Sequence, residues 1–188
     1  MKKKKEKGLD FEIEIPQDIT LNLEGHKIIL KKDNKEVSNT ITKVFNIENQ
    51  GNKIKIFSSQ ARKENKRLLG SIKSHIKNMI DGLNKSYEYE LEICNVHFPI
   101  TLTFDKAKGE FIVKNILGER YPRIIKAINP EKIEVEIKAP HIKIKSYDLE
   151  IASQNAANLE KLTKIRDRDR NKFQDGIFIT KKPGRSFV

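Results

Sequence analysis

The sequence predicts an α+β protein of two duplicated domains, each a mostly antiparallel sheet with one helix packed on a face. Three observations predict it. Apolar residues recur at every second position in short runs, two segments switch to helical spacing, and the second half of the chain repeats the order of the first. A chain of 188 residues has room for one domain or two small ones.

Taken in order, Phe11, Ile13 and Ile15 alternate with Glu12 and Glu14, and Ile19, Leu21 and Leu23 follow with the same period. Glu24-Gly25-His26 then reads as a hairpin turn into the run from Lys27 to Lys31, and Asp33-Asn34 as another. Ile54 and Ile56 mark a further strand. Leu68/Leu69, Ile72, Ile76, Met79/Ile80 and Leu83 recur at steps of three and four, which predicts a helix with Lys73, His75, Lys77 and Asn78 mostly off its stripe and Gly82 as its stop. Tyr87, Tyr89, Leu91 and Ile93 alternate with Glu88, Glu90 and Glu92, so one face of this strand is solvated, the habit of antiparallel sheets. Lys108-Gly109-Glu110 is the turn between strands at Ile100 and Phe111, and Ile133/Val135/Ile137 and Ile142/Ile144 are two more. Ser153 reads as the N-cap of a second helix through Ala156, Ala157, Leu159, Leu162 and Ile165, and Ile177-Phe178-Ile179 is a last strand.

The repeat lies in the pairs. Ile19-Thr-Leu-Asn-Leu and Lys27-Ile-Ile-Leu-Lys match Ile100-Thr-Leu-Thr-Phe and Phe111-Ile-Val-Lys, and Lys53-Ile-Lys-Ile matches His141-Ile-Lys-Ile. Each half then reads as strands, a helix and a closing strand, residues 87–93 closing the first half and 177–179 the second. The expected organisation is a basic extension over 1–8, an N-terminal domain over 9–84, a C-terminal domain over 85–180 carrying the main binding surface, and a tail over 181–188.

Charge is unevenly placed. Of a formal net charge of +12, residues 1–8 carry +4 and residues 164–188 carry +5, leaving +3 for the 155 residues between. The middle reads as a balanced globular body and the two ends as polyanion-seeking segments, nucleic acid being the partner expected over a membrane; solubility is the bland alternative. A single cysteine excludes an intramolecular disulfide framework and fits a reducing, cytoplasmic setting. The basic start at Met1 to Lys7 leads into charged, alternating sequence where a signal peptide would be apolar.

Chemistry has little to stand on. His26, His75, His97 and His141 are scattered, and Cys94-x-x-His97 is half of a metal site with no second half. Asp167, Asp169 and Asp175 are the carboxylates an acidic metal cluster would draw on, but Asp167 and Asp169 are flanked by Arg166, Arg168 and Arg170, a setting in which a carboxylate orients an arginine rather than holds a cation. No phosphate-binding glycine motif occurs. The expectation is no catalytic residue, no metal and no cofactor.

The binding candidates form two loci. Arg166, Arg168, Arg170 and Lys172 supply cations, with Arg suited to bidentate phosphate contact; Phe173 is a stacking ring or a core residue, Gln174 an amide that reads or bridges, and Gly176 a point of close approach or unusual dihedral. Lys114 to Arg123 is a second locus, a loop set by Gly118 and Pro122 that displays Arg120 and Arg123, with Tyr121 either stacking or, more commonly in such a place, packing. Alternating cations in irregular backbone suit folded RNA better than duplex DNA.

Asn95-Val-His-Phe-Pro-Ile, Asn115-Ile-Leu-Gly-Glu-Arg, Ser153-Gln-Asn-Ala-Ala-Asn-Leu-Glu, Arg168-Asp-Arg-Asn-Lys-Phe-Gln-Asp-Gly-Ile-Phe-Ile and His75-Ile-Lys-Asn-Met-Ile-Asp-Gly resemble the archaeal and eukaryotic type of ribosomal protein L six, the universal sixth protein of the large subunit. The resemblance spans about residues 13–181. It implies two domains of duplicated origin, no catalysis, and a place on the ribosome near the base of the lateral stalk. There the C-terminal domain holds large-subunit rRNA beside neighbouring ribosomal proteins and close to the site that translation factors visit. It also implies RNA contacts from Gly118 to Arg123 and from Arg166 to Gly176. Two other classes stand beside this one: an RNA-processing enzyme using Asp167, Asp169 and His97, and a protein-docking role for the first domain.

Overall fold

Every strand pairing in the computed structural model, which describes residues 9–49, 51, 53–58 and 62–187, is antiparallel. The expected basic extension over 1–8 lies outside the described residues. The chain divides into two compact units, one up to Lys85 and one from Ser86.

The first unit holds β1 (Leu9–Glu14), β2 (Thr20–Glu24), β3 (Lys27–Lys32), β4 (Lys35–Thr40), β5 (Asn46–Asn49), β6 (Lys53–Ser58) and α1 (Lys63–Asn84). Two three-stranded sheets form, in the orders β1-β6-β5 and β2-β3-β4. Alternation sets their register: Ile13 lies opposite Ile54 and Phe11 opposite Ile56, while Leu21 faces Leu30 and Leu30 faces Val37. A shift of one residue would turn these side chains to water. The helix packs on β1, β3 and β4 with Leu69, Ile76, Met79, Ile80 and Leu83 buried. Gly82 does not stop it, as the sequence suggests; the helix runs on to Asn84. A glycine costs a helix interior about 0.5–1 kcal/mol, less than the roughly 1.5–3 kcal/mol that burying a leucine returns, and Leu83 is buried.

The second unit repeats the order and adds to it. It comprises β7 (Tyr87–Cys94), β8 (Thr101–Asp105), β9 (Glu110–Lys114), β10 (Arg123–Lys126), β11 (Glu134–Lys138), β12 (His141–Ser146), α2 (Leu149–Thr163), β13 (Gly176–Lys182) and β14 (Arg185–Ser186). One sheet is β10-β9-β8 and the other β11-β12-β7-β13-β14. The counterpart of β5-β6-β1 is therefore β11-β12-β7, extended by β13 and β14, which have no counterpart among the described residues of the first unit. This corrects the reading of residues 87–93 as the closing strand of the first half: β7 opens the second unit and lies at the centre of its larger sheet, between β12 and β13. Among the described residues each unit thus has two sheets and one α-helix, an α+β arrangement repeated along the chain.

Leu91, Ile142, Ile144, Leu159 and Ile177 are wholly buried in the core of the second unit, where Ala152 and Ala156 let α2 lie close to the sheet. Asp148, not Ser153, caps α2: its carboxylate accepts the Glu150 N–H at 2.9 Å, and the Ser153 hydroxyl donates to the Glu150 carbonyl at 3.1 Å. A helix starting at Ser153 would leave the buried Ile151 and Ala152 outside it. Asn155, also buried, accepts the Ile128 N–H at 2.9 Å and donates to its carbonyl at 3.0 Å, which ties the segment after β10 to α2. Gly109, with φ +64°, closes the β8–β9 hairpin against Pro130.

The outer face of the larger sheet is a lattice of opposite charges. Lys143 lies 3.1 Å from Glu88 and 3.8 Å from Glu90, Lys145 lies 3.1 Å from Glu88, and Lys181 lies 3.0 Å from Glu90. Partial burial pushes the Glu88 carboxyl up, but the two lysines beside it win and hold it below the usual range. Singly such pairs are worth about 0–1 kcal/mol; together they neutralise this face.

Candidate RNA-binding surface

Residues 164–175 carry no regular secondary structure, yet they are pinned at three points. At the base, the Thr163 hydroxyl accepts the Ile177 N–H at 3.0 Å and joins the last turn of α2 to the start of β13. At the near end, Arg123 donates to the Leu162 carbonyl at 2.7 Å and the Lys164 carbonyl at 3.3 Å, taking two of the carbonyls that a helix C-terminus leaves unpaired. At the far end, Asp175 accepts the backbone N–H groups of Val96 and His97 through Oδ1, both at 2.8 Å, and faces His97 Nδ1 at 2.6 Å through Oδ2.

The Asp175 side chain has no exposed surface. Burial raises its carboxyl, but the hydrogen bonds from the His97 N–H, its imidazole and the Val96 N–H outweigh that and bring it down to about 2, so it is ionised at neutral pH. His97 in turn stacks on Phe173, ring centroids 4.9 Å apart and planes 20° from parallel, and the Arg168 guanidinium lies over the same ring at 5.5 Å. Between these pins Asp167 takes φ +58° and the Asp169 carboxylate accepts the Asn171 N–H at 2.9 Å. The expectation that Asp169 orients an arginine is thereby corrected: its oxygen serves the backbone turn.

Several sequence candidates sit in a setting other than the one their neighbours in sequence suggest. Arg123 has its fork engaged within the protein, paired with both carboxylate oxygens of Glu119 as well as the two carbonyls, and Glu119 beside it drives the guanidinium still higher in pKa. It builds the surface more than it offers a free cation. Tyr121 does not pack; it is 80% exposed. Phe173 is neither free nor core, being half-buried between its two partners. Gly176 is buried with φ +151°, and a Cβ there would meet the Phe178 ring at 3.3 Å, so its immediate role is the packing of that ring. Lys114, Gly118, Arg120, Arg166, Arg168, Arg170, Lys172 and Gln174 are exposed.

The two basic loci meet. Leu117, Glu119 and Arg123 from one, with Lys164, Arg166 and Arg168 from the other, line a single groove of about 560 Å³. Among the described residues, the side chains of Arg166, Arg170 and Lys172 have no ion-pair partner, unlike the lysines of the sheet face. Residues 114–123 are also less of a plain loop than Gly118 and Pro122 suggest: a 3-10 turn at Ile116–Gly118 buries Ile116, and Arg123 opens β10. Lys114 and Arg120 are not among the residues that line the groove.

Sequence reasoning missed the parts that hold this surface: Asp175 with His97, Glu119 with Arg123, and Thr163. The one local signal was Asp175 itself, which in sequence reads only as the third carboxylate of an acidic cluster with Asp167 and Asp169. Burial and then the carboxylates of Glu92 and Asp175 push the Cys94 thiol up, which disfavours its thiolate. Among the described residues no three His, Cys, Asp or Glu side chains group as metal ligands, and no helix is long and apolar enough to cross a membrane.

No protein-family model matches the chain. Curated relatives do. The chain is 38% identical over 170 residues to the large ribosomal subunit protein uL6 of Staphylothermus marinus, covering 89% of this chain and 91% of that protein. It is 35% identical over 178 residues to uL6 of Archaeoglobus fulgidus, covering 91% and 88%, and 34% identical over 176 residues to uL6 of Methanococcus vannielii, covering 93% and 94%. Identity at this level over nearly the full length of each relative places the chain in the uL6 family of large ribosomal subunit proteins.

Proposed function

We propose that this chain is a structural constituent of the large ribosomal subunit that binds large-subunit rRNA near the stalk base and the factor-binding region and positions it for translation. The groove carries the reading: two basic loci about 40 residues apart in sequence, at Arg123 and Lys164 among others, line one surface, where Arg123 is committed within the protein and Arg166 has no ion-pair partner among the described residues, while the lysines of the sheet face are paired. Its mechanism is neutralisation and positioning. Arg166, Arg168, Arg170 and Lys172 hold phosphates, Lys114, Arg120 and Tyr121 extend the contact, and Gly118, Arg123, Phe173, Gln174 and Gly176 shape the surface around them. Residues 85–180 act as the rRNA-binding domain, residues 9–84 as the other domain, and residues 1–8 and 181–188 as extensions. Neighbouring ribosomal proteins are further partners, and translation factors pass close by.

Sucrose-gradient fractionation of a cell lysate with a high-salt wash tests this. The chain is expected to travel with the large subunit; finding it free or on other RNAs overturns the reading.

A further inference from the structure

A second recess opens beside the groove, and we propose that it holds one unstacked RNA nucleobase with the phosphate of that nucleotide at its rim. The inference rests on the reading that the groove carries rRNA. The recess measures about 260 Å³ and lies between the end of α2, the 170–175 turn and β13. Clefts for drug-sized ligands run to about 300–1,000 Å³, so this one suits a single base and not a dinucleotide.

Its lining is divided in the way a nucleotide is. Phe173, Phe178 and Ile165, all half-buried, give it two aromatic rings and an apolar wall, whereas Lys161, Lys164 and Arg170 are exposed and supply cations. Both rings are held: Phe173 by its stack on His97, and Phe178 by Gly176, which has no side chain to displace it. Phe173 has His97 and Arg168 against its ring, so Phe178 is the ring left to stack a splayed base, and it is already fixed in place. Glu160, half-buried in the same lining, repels a phosphate and accepts a hydrogen bond from the exocyclic amino group of a base. Charge therefore sends the phosphate outward and the base inward. Lys161, Lys164 and Ile165 also line the groove, so an RNA backbone lying there passes the mouth of the recess. That continuity favours a nucleotide of a bound strand.

The test uses the full chain and two small probes, AMP and ribose 5-phosphate, followed by NMR. AMP is expected to show upfield shifts of its base protons and to move the ring resonances of Phe173 and Phe178, while ribose 5-phosphate moves only the lysine and arginine side chains. Phe178→Leu is expected to remove the base-proton shifts and to weaken large-subunit rRNA binding in a filter assay by about 5- to 150-fold. The comparison of the two probes on the unaltered chain stands even where that variant fails to fold. The proposal is overturned if AMP and ribose 5-phosphate perturb the same resonances, if Phe178→Leu keeps the base-proton shifts, or if it binds rRNA as tightly as the unaltered chain. Absent AMP stacking with rRNA binding intact overturns the recess alone; absent rRNA binding by the unaltered chain overturns the groove reading.

Discussion

Asp175 Oδ2 lies 2.6 Å from Nδ1 of His97, although 78 residues separate the two in sequence. The pairing closes the far end of the basic segment onto the connection between β7 and β8, and it sets the imidazole against Phe173. A buried carboxylate with three donors does work that a surface ion pair cannot, because its alternative is an unpaired charge in a dry setting.

Acid should release it. The Asp175 carboxyl is lowered in the folded protein from 3.8 to about 2, so its contribution, about 2 kcal/mol, is complete above the unfolded value and is lost as pH falls through the folded one. Asp175→Asn is expected to destabilise the second unit by about 1–3 kcal/mol at pH 7 and to flatten its stability profile between pH 4 and 2 relative to the unaltered chain. Urea denaturation followed across that range checks both.

Arg123 should tolerate no substitution well. Arg123→Ala removes two carbonyl partners from the end of α2 and strands Glu119, a loss of about 1–3 kcal/mol. Arg123→Lys is expected to recover less than half, since an ammonium cannot span a carboxylate and two carbonyls as a planar fork does. Thermal unfolding of both variants, of Glu119→Ala and of the Arg123→Ala/Glu119→Ala double variant gives the coupling between the pair.

Two glycines should respond with opposite sign. At Gly109 an added Cβ would lie 2.8 Å from the Pro130 ring in a backbone with φ +64°, so Gly109→Ala is expected to cost about 1–3 kcal/mol. Gly70 is exposed inside α1 with open space around it, and Gly70→Ala is expected to stabilise by about 0.5–1 kcal/mol. Melting temperatures of the two variants, measured side by side, decide it.

Removing two cations should change a slope as well as an affinity. Arg166→Ala with Arg168→Ala is expected to weaken rRNA binding and to make the plot of log affinity against log salt shallower by about 0.7–0.9 for each phosphate that is no longer neutralised. Filter binding between about 50 and 200 mM salt measures it, and an unchanged slope would show that neither guanidinium meets a phosphate.

The strands holding Ile13, Leu21, Leu30 and Ile54 were legible because period-two alternation is a local property in which each residue carries its own facing, whereas their register and the strands β4, β5 and β10, where alternation is weak or short, were not read. The fate of residues 87–93 was not, since a strand's sheet partners depend on which edge is free after the chain turns, and β7 pairs with strands that begin some 50 and 80 residues later. The start of α2 was misread because Asp148 and Ser153 both have capping side chains, and the burial of Ile151 and Ala152 settles the competition only in three dimensions. The basic loci stood out by composition. Which of their cations are committed was hidden, because Arg123 meets Lys164 and Leu162 across about 40 residues with no sequence pattern to announce it.

The lattice of Glu88, Glu90, Lys143, Lys145 and Lys181 has a consequence for encounter. A surface whose two signs interleave at ion-pair distance has a potential that dies away within a few ångströms, whereas unpaired cations of one sign project theirs over about a Debye length, near 8 Å in physiological salt. A polyanion nearing this unit from the sheet side feels almost no pull, and one nearing the groove feels a strong one. The unit is turned before it touches, and the charges that look idle on the sheet act as a blank side that lets the other be found.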